Sequence, residues 1–307
     1  MSKGPVKNLA ASVMQRLNNY ARNNRLDFNA LLTRFVMERV LYRLSKSSYG
    51  RDFYLKGAML FVLWEQHPHR PTKDLDLLFI PRHDRSELER IFKEVCSTAV
   101  SGDGLFFDPE SVTVEEIREA NAYGGLRVKL ICYLGNGRVP LQIDVGLGDS
   151  VYPEPGWTEF PPVLEFSAPR IRAYPTETVI AEKFQAMVEL EFRNTRMKDY
   201  YDIHYLSRKF HYSGKELREA IHQTFRRRKT ELPVGIPVGL SEGFSENPQS
   251  QTQWNAFLRK NRLDQSTQLP EIVTRISDFL MPVITEASIS EKHWISGRGW
   301  ELLKRVP

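Results

Sequence analysis

Asp74 and Asp76 stand two residues apart inside the apolar run Asp74–Ile80. Side chains of an extended strand alternate between faces, so both carboxylates project from one side of the sheet. Two like charges held that way repel, and a divalent cation relieves the repulsion; hard oxygen donors of this kind favour Mg2+ or Mn2+. A bare Asp-x-Asp is equally what a strand end meeting solvent looks like. A third acid, Asp144, lies in the strand-like run Leu141–Val145, facing opposite to Ile143 and Val145. Three strand-borne carboxylates form the ligand set of a two-metal site for phosphoryl or nucleotidyl transfer. Upstream, Lys56-Gly57-Ala58 precedes the apolar helix Met59–Trp64. A glycine there lets backbone N–H groups at a helix start cradle a triphosphate, although the same tripeptide is also a common turn.

Further along, Lys183 follows Ile180 by three residues and precedes Met187 by four, at the border of the apolar stripe Ile180, Phe184, Met187. A partly buried ammonium requires an anion, and nucleotide phosphate is one candidate. Asp199 and Asp202 share a helical face with Ile203 and Leu206. Their partners are either Arg196 or Lys198 in a salt bridge to the core, or Lys183 and the nucleotide it would hold. Residues 193–229 carry eleven Lys or Arg against four acids, a net +7 that exceeds the +5 of the whole chain. The run Arg226, Arg227, Arg228 and Lys229 ends a helix, where the dipole alone favours cations; the alternative is an RNA phosphate track. Tyr200, Tyr201, Tyr205 and Tyr212 interleave with this charge, as core, interface or stacking residues.

The elements that must position these groups follow from periodicity. Leu9, Val13, Leu17 and Tyr20 predict one helix, and Leu31 to Leu41 a second. Strands are expected at 74–80, 126–133 and 140–145, with a helix over 86–97. Leu134-Gly-Asn-Gly-Arg138 joins the last two strands as an antiparallel hairpin. After Pro175 helices are predicted over 176–192, 197–209, 213–229 and 269–284, while the Pro- and Gly-rich segment 231–250 reads as a loop or lid. The fold class is α/β (α+β): an N-terminal helical segment (1–50), a mixed-sheet core (51–170) and a helical C-terminal lobe (171–307) containing the 231–250 loop.

Composition narrows the classes. With 41% hydrophobic and 26% charged residues the 307-residue chain has the means to bury a core, which excludes disordered and fibrous classes. Two cysteines support neither a disulfide framework nor a four-thiolate zinc site and suit a reducing cytoplasm. Met1–Leu17 lacks a signal-peptide apolar core, and the longest apolar run, Ala58–Trp64, is far shorter than the ~20 residues a bilayer needs. His67 and His69 lie in a Pro-rich stretch, and His204, His211 and His222 are scattered, so zinc spacing is lacking. No P-loop or nucleophile elbow is present.

Gly57-Ala58, then Arg70-Pro-Thr72-Lys-Asp74-Leu-Asp76, then Asp144 resemble the DNA-polymerase-β-type nucleotidyltransferase pattern of a glycine start, an Asp-x-Asp and a late third Asp. Pro175–Lys183 and Arg196-Met-Lys-Asp199-Tyr-Tyr-Asp202-Ile203 resemble two additional motifs of the AbiEii/AbiGii-type nucleotidyltransferase toxins of bacterial type IV toxin-antitoxin and abortive-infection systems. The resemblance implies transfer of NMP from an NTP to an acceptor, foremost the 3′ end of tRNA, in a cytoplasmic protein with a separately encoded antitoxin. It implies that Asp74 and Asp76 bind two Mg2+ or Mn2+ ions and that Asp144 binds one while helping to activate the acceptor hydroxyl. Gly57, Ala58, Thr72, Lys183, Asp199 and Asp202 would contact the nucleotide, with Lys183 on the triphosphate. At Ala58 the chain departs from relatives that carry a second Gly or a Ser, so no hydroxyl is offered there. The same cradle could serve a protein-modifying nucleotidyltransferase or a kinase, and a non-catalytic RNA-binding protein is the rival of another class.

Overall fold

A computed structural model describes residues 8–65, 72–80, 85–117 and 124–302. Arg70 and Pro71 of the Asp-x-Asp motif, and His67 and His69, lie outside them. The chain forms two compact units: residues up to Gly148 with Gly156–Ala173, and Asp149–Pro155 with Tyr174 onward.

The first unit opens with α1 (Leu9–Asn23) and α2 (Phe28–Lys46). Asn8 caps α1 by accepting from the Ala11 N–H at 3.1 Å, and Asp27 caps α2 by accepting from that of Ala30 at 2.8 Å. The apolar stripe of α1, Val13, Leu17 and Ala21, packs with Leu31, Phe35, Leu134, Val163 and Leu164. The predicted N-terminal helices are therefore part of the same unit as the sheet. After them come β1 (Phe53–Lys56), α3 (Leu60–Trp64), β2 (Asp74–Phe79), α4 (Arg85–Ser97), β3 (Leu105–Ile117), β4 (Gly125–Leu134), β5 (Gly137–Leu147), β6 (Trp157–Glu159) and β7 (Arg170–Ala173). These seven strands form one mixed sheet in the order β3-β4-β5-β2-β1-β7-β6. β2–β5 and β1–β7 are parallel pairs, and the others are antiparallel, with β4 and β5 joined by the expected hairpin.

Buried charges tie α2 to this unit. Arg43 grips Asp103 with two bonds, 2.7 and 3.2 Å, and Arg39 reaches the same carboxylate at 3.3 Å and the Ser167 carbonyl at 2.9 Å. Glu38 accepts from the Val163 N–H at 2.6 Å. Its burial outweighs that bond and the neighbouring Arg39, pushing its carboxyl up to about 7.

The second unit is mainly helical: α5 (Thr176–Leu190), α6 (Met197–Lys209), α7 (Gly214–Arg227), α8 (Glu242–Ser245), α9 (Pro248–Asn261) and α10 (Leu269–Thr285). A small sheet of β8 (Tyr212–Ser213), β9 (Lys292–Ile295) and β10 (Gly299–Leu302) carries Trp294 and Trp300 onto Phe279 of α10. The segment 231–250 departs from the expected loop. It contains a 3-10 turn at Val238–Leu240, all of α8 and the start of α9. Ser241 caps α8, and Asn247 caps α9, in which Pro248 occupies the first turn. A proline there has no N–H to lose and a φ already suited to a helix, so a residue that reads as a loop signal opens a helix instead. No helix among the described residues is long and apolar enough to cross a membrane.

Candidate active site

In the first unit the register places the acids side by side. Asp76 of β2 is paired with Asp144 of β5, and Asp74 with Gln142, so all three carboxylates leave the sheet on one face. On the other flank Asp76 is opposite Lys56 of β1. The chain then turns at Gly57 with φ +70°. A Cβ on Gly57 would lie 1.9 Å from Asp76 Oδ2 and 2.6 Å from Asp76 Cβ. Glycine is required there twice, for the left-handed backbone and for the space that Asp76 occupies. Ala58 is buried beneath this turn. Thr72 donates its hydroxyl to the Asp74 carbonyl at 3.1 Å, shaping the entry to β2.

Asp144 has partners the sequence did not disclose. Arg127, its cross-strand neighbour on β4, binds it bidentately at 2.8 and 2.9 Å, and Gln142 Nε2 donates to it at 3.2 Å. The pair is partly exposed, at 30% for Arg127 and 22% for Asp144. Hydrogen bonding to Asp144 is the main influence raising Arg127 above the ordinary arginine value, against burial, with Asp74 and Glu115 adding to it. As to a cation, the donors are all hard carboxylate oxygens on adjacent strands, which suits Mg2+ or Mn2+. Among the described residues, however, no three His, Cys, Asp or Glu side chains converge as a ready ligand group. The chemistry of Asp74, Asp76 and Asp144 suits such an ion, and Asp144 would have to exchange Arg127 for it.

In the second unit Lys183 of α5 meets both acids of α6. Its Nζ lies 2.6 Å from Asp199 Oδ1 and 2.9 Å from Asp202 Oδ2, and both carboxylates are fully buried. Arg196 Nε stands 2.6 Å from Asp199 Oδ2. Burial, the largest influence on Asp199, works to raise its carboxyl, but the charges of Lys183, Arg196 and Lys198 outweigh it and hold the group below its ordinary value. Both acids thus meet Lys183, and Asp199 meets Arg196 as well.

The basic run divides. Arg226, Arg227 and Lys229 are exposed at the end of α7, whereas Arg228 is only 14% exposed and turns inward. It bonds Gln185 at 2.9 Å and pairs with Glu182 at 3.3 Å and Asp149 at 3.6 Å. Its charge is neutralised inside its own unit. Tyr200 is stacked on Phe244, and Tyr212 lies against Phe279, both as buried core residues.

The family described as nucleotidyl transferase AbiEii toxin, type IV TA system, matches residues 39–279. No curated protein is similar to the chain. Two solved structures from Helicobacter pylori, one a candidate nucleotidyltransferase and the other JHP933, each share 15% identity at a TM-score of 0.48. Each covers 82% of this chain, over 92% and 90% of its own length.

Proposed function

Because the chain belongs to the AbiEii nucleotidyl transferase toxin family of type IV toxin-antitoxin systems, we propose that it moves NMP from an NTP to the 3′ hydroxyl of an RNA, with tRNA as the foremost acceptor. The observation that carries this reading is the row Asp74, Asp76 and Asp144 on one sheet face, with Gly57 folded against Asp76. Asp74 and Asp76 would hold Mg2+ or Mn2+, with Asp144 sharing one ion. Such ions supply charge stabilisation at the attacking and leaving oxygens of an in-line displacement. Backbone N–H groups after Gly57 would cradle the triphosphate, Thr72 would shape the strand entry, and Ala58 offers packing without a hydroxyl. Asp144 would accept the proton of the acceptor hydroxyl as its oxygen bonds to the α-phosphorus and pyrophosphate departs. Lys183, held by Asp199 and Asp202, is our assignment for the triphosphate. Family membership carries with it an antitoxin partner.

The test is incubation of the protein with total RNA and each NTP labelled at the α- or γ-phosphate, resolved on a gel. Label from the α-position in RNA, dependent on Mg2+ or Mn2+ and absent in Asp74→Ala, Asp76→Ala and Asp144→Ala, is the expected result. α-label in protein would make this a protein-modifying enzyme, and γ-label a kinase. No turnover with any NTP, RNA binding being intact, would leave a non-catalytic RNA-binding protein.

A further inference from the structure

The face that bears Asp144 does not end there. Along β4, Leu126, Val128, Leu130, Cys132 and Leu134 are buried, which sends Arg127, Lys129, Ile131 and Tyr133 outward; along β5, Arg138, Pro140, Gln142 and Asp144 do the same. Cross-strand pairing sets Phe106 beside Tyr133 and Tyr133 beside Arg138 in a single row at the far end of this surface. The Phe106 and Tyr133 rings are stacked, with centroids 6.2 Å apart at 27°. Phe106 is 60% exposed, the most exposed aromatic ring among the described residues. A single exposed ring is ordinary on a protein surface; here two rings are stacked on the strand face that leads to Asp144.

We propose that the outward face of β3, β4 and β5 is a platform for the single-stranded 3′ end of the acceptor, with Phe106 and Tyr133 stacking one base and Arg138 meeting an adjacent phosphate. The inference rests on RNA being the acceptor, and it adds where that RNA lies. From Arg138 to Asp144 is six strand residues, about 20 Å, a span for a few unpaired nucleotides. Between the two ends run Ile131 and Pro140, then Lys129 and Gln142, so the surface passes from stacking to polar contacts to the carboxylates. A strand whose terminal hydroxyl must reach the acids and whose bases each present a π-face matches that order. Cations are sparse: Lys129 is bound by Glu115 at 2.6 Å and Arg127 by Asp144, leaving Arg138 as the cation of the row without an ion pair among the described residues. Recognition here is therefore stacking-dominated, with a weak dependence on salt.

The experiment uses the full chain and a short fluorescent single-stranded RNA, measured by anisotropy across a salt titration, for wild type, Phe106→Ala, Tyr133→Ala and Phe106→Tyr. Loss of a stacking ring weakens binding roughly 5- to 100-fold. We expect that loss in both alanine variants at every salt concentration with an unchanged slope, and wild-type affinity in Phe106→Tyr. In the transfer assay the KM for RNA should rise by the same factor, with KM for NTP unchanged. A 4-thiouridine placed a few nucleotides from the 3′ end should crosslink to Phe106 or Tyr133. Alanine variants that bind and crosslink RNA as wild type does would overturn the platform, as would wild type failing to bind the probe, or variants that keep RNA but lose a protein partner. The two readings fail separately. RNA labelling untouched by Phe106→Ala removes the platform alone, and RNA binding through Phe106 without any labelling removes nucleotidyl transfer alone.

Discussion

Replacing Gly57 by alanine adds one methyl group and no chemistry, so its effect measures how closely the turn and Asp76 are fitted. At φ +70° an L-residue costs about 1–2 kcal/mol relative to glycine. The added Cβ would also stand 1.9 Å from Asp76 Oδ2, 2.5 Å from Cγ and 2.6 Å from Cβ. Rotating the Asp76 side chain removes the first two conflicts but not the third, because its Cβ is fixed to the strand. β1 and β2 must then separate where Lys56 pairs with Asp76. Overpacking of this kind costs about 1–3 kcal/mol more, which brings the total to about 2–5 kcal/mol. In a unit of this size that corresponds to a fall in Tm of roughly 5–15 °C. Because the displaced group is a proposed ion ligand, transfer should fall by roughly 100-fold or more, and Mn2+ affinity measured by calorimetry should weaken with it. Gly156→Ala is the control: a Cβ there has nothing within 4 Å, so its stability should stay within about 0.5 kcal/mol of wild type. A Gly57→Ala protein with unchanged Tm, Mn2+ affinity and transfer would refute the fit between this glycine and Asp76.

Other expectations follow from single contacts. Lys183→Ala removes the cation that bridges two buried carboxylates, so it should destabilise by about 3–5 kcal/mol; at a temperature where it is folded, KM for NTP should rise, and unchanged KM would leave the lysine a purely structural role. Neutralising Arg226, Arg227 and Lys229, with Arg228 spared because it braces α7 against α5, should flatten the salt dependence of RNA binding by up to roughly one unit of slope per lost phosphate contact; an unaltered slope makes the run a helix terminus only. Glu38, raised to about 7 from 4.5, keeps its proton when folded through a window where the unfolded chain has released it. Stability should therefore be greatest below about pH 4.5 as far as this group is concerned, fall as pH rises to about 7 and level off above, and Glu38→Gln should abolish that slope in urea midpoints taken from pH 5 to 8.

What the sequence discloses, and what it hides, follows from how local each signal is. β2, β4 and β5 are legible because apolar residues alternate along them, and the three acids are legible because they interrupt that alternation. β3 is obscured by Pro109 and by a register break between Asp108 and Thr113, which puts two halves of one strand out of phase. β9 and β10 are four residues each, too short for a period to emerge. The shared helical face of Asp199 and Asp202 is visible from spacing, but their meeting with Lys183 depends on how α5 packs on α6. Likewise Arg127 finds Asp144 only through the pairing of β4 with β5. Glu38, Arg39 and Arg43 look like the solvated side of a helix, and only their buried partners Asp103 and Val163 reveal otherwise.

The two charge clusters differ in a way that bears on their roles. Arg127 and Asp144 are partly exposed, so water reaches each group as the other leaves, and exchanging that guanidinium for a divalent ion costs less than parting a fully buried pair. Asp199 and Asp202 are fully buried on Lys183, where removing one partner costs several times more because the other charges stay desolvated. Lys183 thus does not swing out to collect a nucleotide. If it binds a triphosphate, it does so from a fixed position, with Asp199 and Asp202 holding its ammonium in place and moderating its charge. Asp202→Asn then separates positioning from charge: the amide keeps the shape while removing one negative neighbour. It should tighten NTP binding if the ammonium contacts phosphate and leave it unchanged if Lys183 only joins α5 to α6.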